Sequence, residues 1–252
     1  MLHFDDIVFG PIFSRRLGAS LGINILPSKG KLCNFDCIYC ECGWNKDGVG
    51  DKKFPTYQDV EDAMSKRIKT LAAEGVKVDS ITFSGNGEPT MNPDFAEIID
   101  LALRLRDEYY PDAKVSVLSN ATLVHRDDVF DALSKVDNPI MKIDASTDGL
   151  IGEINRPVGK YVLEDVLRNL ERFEGNFVLQ TMFLKSHELD DAFIKSLAGW
   201  MEIVRRLKPR EIMVYTIDRE TPDKSLGKYT YDEMKAFVQP LLDEGYKIQI
   251  KG

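Results

Sequence analysis

Short apolar, β-branched runs alternate with longer stretches of helical spacing along almost the whole chain, and this alternation limits the fold more than any other feature. Strand-like runs fall at Leu21–Leu26, Ser80–Phe83, Lys114–Leu118, Ile140–Ile143, Phe177–Phe183 and Ile212–Ile217. Between them, apolar residues recur every three or four positions, as the core-facing stripe of a helix requires. Val60, Met64, Ile68 and Leu71 form one such face within Tyr57–Ala73, and Phe95, Ile98, Ala102 and Leu105 form another. Leu197, Met201, Val204 and Leu207 make a third, and Met234, Phe237, Val238 and Leu241 a fourth; shorter helices fit Arg126–Ser134 and Tyr161–Phe173. About six β-α units result, which predicts an α/β fold with a parallel sheet and right-handed crossovers. Periodicity alone allows an open doubly wound sheet or a full or partial barrel. Tyr246–Ile250 fits a final short strand, and no low-complexity linker divides the chain. The expectation is one domain over residues 1–252. It has an N-terminal segment and first strand in 1–30, a cysteine-rich loop in 31–44 and the remaining β/α units in 45–252.

Composition narrows the function classes. Arg and Lys total 33 against 41 Asp and Glu, a formal charge of −8, which disfavours the clustered basic surface that grips phosphate backbones. No apolar run reaches the roughly 18 residues of a membrane span. The opening MLHFDDIVFG has acidic residues where a signal peptide needs basic ones. A cytoplasmic protein with no membrane partner and no nucleic acid is expected.

Parallel α/β sheets build their sites at the carboxyl ends of the strands. Here those ends are the Ser84–Thr90 loop, Ser119 with Asn120, Asp144 to Ser146, and Tyr215 to Asp218, and polar and glycine residues gather there. Ser119 and Asn120 also suit a helix N-cap, and Asp148 with Gly149 suits a plain turn.

All four cysteines lie between residues 33 and 42. A disulfide framework would spread them along the chain, so this crowding points to metal. Cys33, Cys37 and Cys40 have the spacing C-x3-C-x2-C and can converge from one tight loop. Thiolates suit zinc or an iron–sulfur cluster. A structural zinc usually takes four protein ligands, yet no remote cysteine exists, and His3, His125 and His187 have no paired spacing. Three thiolates on a cubane would leave one iron open.

Cys33, Cys37, Tyr39 and Cys40 together resemble the radical S-adenosylmethionine (SAM) superfamily, whose cysteine motif carries an aromatic before its last cysteine. The resemblance implies a partial (β/α)6 TIM-like barrel, a [4Fe–4S] cluster held by the three cysteines, and SAM on the open iron. It also implies a reduced flavodoxin- or ferredoxin-type electron donor, and a 5′-deoxyadenosyl radical that takes hydrogen from substrate. Ser84-Gly85-Asn86-Gly87-Glu88-Pro89-Thr90 is similar to the family's Gly-Gly-Glu motif. That likeness implies SAM contacts from Gly85, Asn86, Gly87, Glu88 and Pro89, alongside Tyr39, Ser119, Asn120, Asp144, Ser146 and Gln180. Cys42, two residues past the motif, reads as a reduced bystander.

Phe9 to Asn24 and Asn155-Arg156-Pro157 resemble a subgroup related to wyosine-base synthases. Those enzymes hold a second cluster with cysteines upstream of the motif, and no cysteine precedes Cys33, so the tRNA-modifying activity is not carried over. Arg15, Arg16, Asn155, Arg156 and Tyr215 are candidate substrate residues, the arginines because a guanidinium fork matches carboxylate or phosphate. No general acid or base stands out. The expected activity is hydrogen abstraction from a small molecule or nucleoside. One alternative is an activase for a partner glycyl radical enzyme, and another is a non-catalytic iron–sulfur or zinc module.

Overall fold

The structure, a computed structural model, describes residues 4–14, 16–47, 53–186 and 189–251. Eight strands form one sheet in sequential order: β1 (Val8–Ser14), β2 (Gly18–Ile23), β3 (Ser80–Phe83), β4 (Lys114–Ser119), β5 (Asn138–Lys142), β6 (Val178–Met182), β7 (Glu211–Tyr215) and β8 (Ile248–Lys251). β1 and β2 pair antiparallel, and every later neighbour pairs parallel. Seven helices accompany them among the described residues: α1 (Tyr57–Ala73), α2 (Phe95–Tyr109), α3 (Asp127–Lys135), α4 (Asp148–Ile154), α5 (Leu163–Glu171), α6 (Asp190–Leu207) and α7 (Tyr231–Asp243). The sheet curls into a half-barrel whose edges are β1 and β8. Among the described residues no helix is long and apolar enough to cross a membrane.

The expected six strands correspond to β2–β7, and the final short strand to β8. β1 escapes the alternation rule because Gly10 and Pro11 interrupt it, and its register shifts between Phe9 and Ile12. The first parallel strand also begins earlier than expected, at Gly18 rather than Leu21, because Gly18, Ala19 and Ser20 lack the bulk that marks a strand. Asp148 and Gly149 open α4 rather than a turn: the Thr147 hydroxyl caps it by accepting from the Leu150 N–H.

Strand alternation divides the sheet into two faces. Leu21, Ile23, Ile81, Phe83, Val115, Val117, Ile212 and Val214 belong to the main core with the buried helix stripes. Val60, Met64, Ile68 and Leu71 of α1 are all buried there, each such side chain contributing about 1.5–3 kcal/mol. The alternate residues face the concave side. At its floor a ladder of hydroxyls runs from Ser20 through Thr82 and Ser80 to Ser116, which accepts from the Asn138 amide. Further round, Ile140, Val178 and Met213 form a small separate cluster, and Leu17 from the β1–β2 turn packs onto it. That turn therefore tucks into the concave face.

Candidate active site

The cysteine loop leaves the top of β2 and is held on both flanks. On one side Leu32 bridges Gly87 as a short parallel strand, with the Leu32 N–H donating to the Asn86 carbonyl at 2.8 Å and the Glu88 N–H to the Leu32 carbonyl at 3.1 Å. Gly87 has φ +141°, and a Cβ there would stand 1.8 Å from the Leu32 carbonyl oxygen, so only glycine permits this approach. On the other side Phe35 bridges Pro157, and the Asp36 and Ile38 N–H groups donate to the carbonyls of Asn155 and Ile154. The segment after α4 thus braces the loop from behind.

The environment of the thiols suits a negatively charged, thiolate-bound centre. Cys33 Sγ accepts from the Phe35 N–H at 3.4 Å and from the Asn120 amide at 3.8 Å, and Cys37 Sγ accepts from the Asn155 amide at 3.4 Å. Lys31 is 6% exposed, with its ammonium 3.2 Å from Asp36 and 3.1 Å from the Gly43 carbonyl. Burial opposes its charge, but Cys40, Cys33, Cys37 and Asp36 outweigh that and hold it protonated. A hydrogen bond from Cys42 brings Cys40 down to about 6, whereas burial pushes Cys37 up to about 11 and Cys33 well up. Metal binding here must release protons. Soft thiols, N–H groups aimed at sulfur and a buried cation meet the needs of an iron–sulfur cluster. Among the described residues no three His, Cys, Asp or Glu side chains close around a single-ion position. The single Cys42 S–H has the Gly85 carbonyl, 3.4 Å away, as its alternative acceptor.

Beside this loop, Glu88 is 2% exposed and is the hub of the polar groups from β3 and β4. One carboxylate oxygen accepts from the Thr90 hydroxyl at 2.6 Å and the Ser119 hydroxyl at 2.9 Å, and the other from the Asn120 N–H at 2.7 Å. Burial raises the pKa of Glu88 despite these bonds. Ser119 and Asn120 therefore serve Glu88 rather than a helix end, since α3 starts only at Asp127. The Asn120 amide also donates to Asn34 at 2.6 Å. The Asn86 amide donates to the Phe4 and Pro27 carbonyls, and Pro89 is buried at the start of a single 3-10 turn. Gly85 packs against Asn24, where a Cβ would fall 2.3 Å from its oxygen.

A second hub, on the concave face of β5, is Asp144, whose side chain is fully buried. It accepts from the Tyr39 hydroxyl, the Asn155 amide at 2.6 Å and the Met182 N–H at 2.8 Å, with the Lys142 ammonium 3.4 Å away. Burial and Asp144 together raise the Tyr39 phenol well above its ordinary value. Lys142 donates to the Tyr215 hydroxyl at 2.7 Å and lies over the rings of Tyr39 and Tyr215. Its burial is outweighed by Asp144 and Tyr215, which hold it protonated. Arg16 lies over the other partner of this group, the Tyr215 ring, at 4.5 Å, and Gln180 is Lys142's register partner on β6.

Of the residues expected from the sequence, the structure gathers Cys33, Cys37, Tyr39, Cys40, Gly85, Gly87, Glu88, Ser119, Asn120, Asp144, Asn155, Gln180, Arg16 and Tyr215 around the cysteine loop and the adjoining strand ends. Ser146 stands apart, donating to the Ser196 carbonyl of α6 at 2.9 Å. Arg156 is exposed and stacks over Trp44 at 5.0 Å, and Arg15 lies outside the described residues. Lys31 and Lys142 were not singled out from the sequence. The available signals were a lysine two residues before the first of three clustered cysteines, and a lysine on the concave side of a buried strand.

Residues 28–198 match the model of the family described as the radical SAM superfamily. The chain is 32% identical over 224 residues to a UPF0026 protein of Methanocaldococcus jannaschii, covering 86% of this chain and spanning 65% of the relative's length. A radical SAM methyltransferase from Sphaerobacter thermophilus shares the fold with a TM-score of 0.69 at 14% identity, over 95% of this chain and 67% of that one. SuiB of Streptococcus suis bound to S-adenosylmethionine gives 0.64 at 14%, over 92% of this chain and 50% of that one.

Proposed function

This chain belongs to the radical SAM superfamily of enzymes, and from that premise we propose that it abstracts hydrogen from a small-molecule or nucleoside substrate. The family's cofactors are a [4Fe–4S] cluster and SAM, and its members draw on a reduced electron donor. When bound, the cluster and SAM supply one-electron reduction and a 5′-deoxyadenosyl radical.

In this reading Cys33, Cys37 and Cys40 hold the cluster, and the chain's other groups bind and aim. Lys31 offsets the charge of three thiolates. The amide N–H groups of Asn120 and Asn155 fix the sulfurs of Cys33 and Cys37. Glu88, fixed by four donors from Thr90, Ser119 and Asn120, keeps a lone pair on the oxygen that meets the Asn120 N–H, and this is the acceptor we assign to the SAM ammonium. Tyr39 and Asp144 would line the side of the SAM site that faces the concave surface. For the subgroup, the Phe9–Asn24 and Asn155–Pro157 likeness to wyosine-base-synthase relatives supports common descent without tRNA modification.

The observation that carries this reading is the convergence of the three-cysteine loop, Gly87 and Glu88 through the Leu32–Gly87 bridge. Anaerobic reconstitution with iron and sulfide, followed by dithionite and SAM, tests it. Release of 5′-deoxyadenosine and methionine is expected, and deuterated candidate substrates should pass label into the nucleoside. A fully loaded cluster that leaves SAM intact would overturn the reading.

A further inference from the structure

The concave face holds more donors than its own acceptors satisfy. Arg16 Nη1 is buried and has no hydrogen-bond partner among the described residues, and neither has Nε2 of Gln180, a residue only 5% exposed. A buried donor left without a partner is costly, so two such donors close together call for an acceptor. Their placement is connected. Lys142 and Gln180 are register partners on β5 and β6, while Arg16 and Lys142 both lie over the Tyr215 ring, at 4.5 and 5.1 Å. Met182, two residues beyond Gln180 on the same face of β6, lines a cavity with Arg16, Tyr39 and Tyr215. Three carboxylates stand nearby: Asp144 accepts from Tyr39, Asn155 and Met182, Glu41 pairs with Arg219, and Asp218 lines the cavity beside Arg219.

We propose that Arg16, Gln180 and Lys142 form a subsite that binds a carboxylate group of the substrate. This deepens the hydrogen-abstraction reading by naming a substrate class, an organic acid, and rests on it for the word substrate. The cavity that Arg16 and Tyr215 line, about 40 Å³, favours the smaller oxyanion. One water needs roughly 10–15 Å³ on such a measure, so a carboxyl group fits where a phosphate ester with its bridging atoms is crowded. A guanidinium matches a planar carboxylate with two parallel N–H groups, the Gln180 amide adds a third donor, and the ammonium supplies charge. Tyr39, which lines the same cavity, belongs to the cysteine loop, so the remainder of the acid would extend toward that loop.

Equilibrium titration of succinate into the cluster-reconstituted protein tests this. Succinate should bind with a dissociation constant on the order of 1 mM or tighter, and succinamide should not. Arg16→Gln and Gln180→Leu should each weaken succinate by roughly tenfold or more, and Arg16→Lys should also weaken it, because the charge stays while the fork is lost. Iron content and the melting midpoint identify any variant that fails to fold; the wild-type contrast between succinate and succinamide then carries the test. No succinate binding, equal binding of succinamide, preference for inorganic phosphate, or unchanged affinity in both folded variants would overturn the proposal. SAM cleavage by the wild-type protein is a separate measurement. Succinate binding without cleavage removes the enzymatic reading and leaves the subsite, and cleavage without succinate binding does the reverse.

Discussion

Asn155 is the residue that ties the cysteine loop to the Asp144 hub, since its one amide nitrogen lies within bonding distance of Cys37 Sγ, the Tyr39 hydroxyl and Asp144. Asn155→Ala should lower stability by about 2–3 kcal/mol in urea unfolding, because buried Asp144 loses a donor, and it should lower iron retention after reconstitution. Gly87→Ala should be harsher, since the new Cβ meets backbone rather than a flexible side chain. A loss above about 3 kcal/mol or a failure to load iron is expected. Cysteine variants should divide sharply. Cys33→Ala, Cys37→Ala and Cys40→Ala should each abolish the visible absorbance of the cluster, whereas Cys42→Ser should keep the full iron and sulfide content, because serine also donates to the Gly85 carbonyl. Iron loss in Cys42→Ser would make Cys42 a ligand.

At the scale of elements, α7 shows how local sequence sets an end and a pH dependence. Thr230 caps it by accepting from the Glu233 N–H, while the Glu233 carboxylate accepts from the Thr230 N–H and from Lys185. Thr230→Ala should cost about 1 kcal/mol. Lys185 and the capping box bring Glu233 from its ordinary 4.5 to about 2. Between these values the unfolded chain binds more protons, so stability rises with pH across that window. The contribution is complete above the unfolded value and is lost as pH falls through about 2. Comparing acid unfolding of the wild type with Glu233→Gln checks this: the difference between them should shrink as pH drops below 4.5. Elements with strong periodicity, such as α1, α2 and β3, were legible in the sequence because helix stripes and buried strands leave a hydrophobic imprint. β1 and α4 were not. Gly10 and Pro11 break the imprint of the first, and α4 is short and begins with Asp-Gly, the composition of a turn.

For the whole molecule, the cysteine spacing and the likeness of the glycine loop to a family motif pointed to one half of the candidate site. On the concave face Arg16, Gln180 and Tyr215 stood out singly, but their grouping around Lys142 did not, because Lys142 and Gln180 become neighbours only through strand register and Arg16 comes to the Tyr215 ring only because its turn folds inward. Removal of the cluster with a chelator under oxidation should therefore act unevenly. Hydrogen exchange should speed up in residues 31–45 and 154–158, which hold each other, and change little in β3–β7. Equal loss of protection throughout would mean that the sheet itself depends on metal. The inward β1–β2 turn has a consequence for the order of assembly. Leu17 and Arg16 rest on residues of β5, β6 and β7, which a ribosome makes much later, so although β2 can pair with β3 early, the turn itself has no concave seat until the seventh strand emerges. The pocket is then among the last parts to mature during synthesis, and chains stalled before β7 would expose a cationic, apolar arm for chaperones to find.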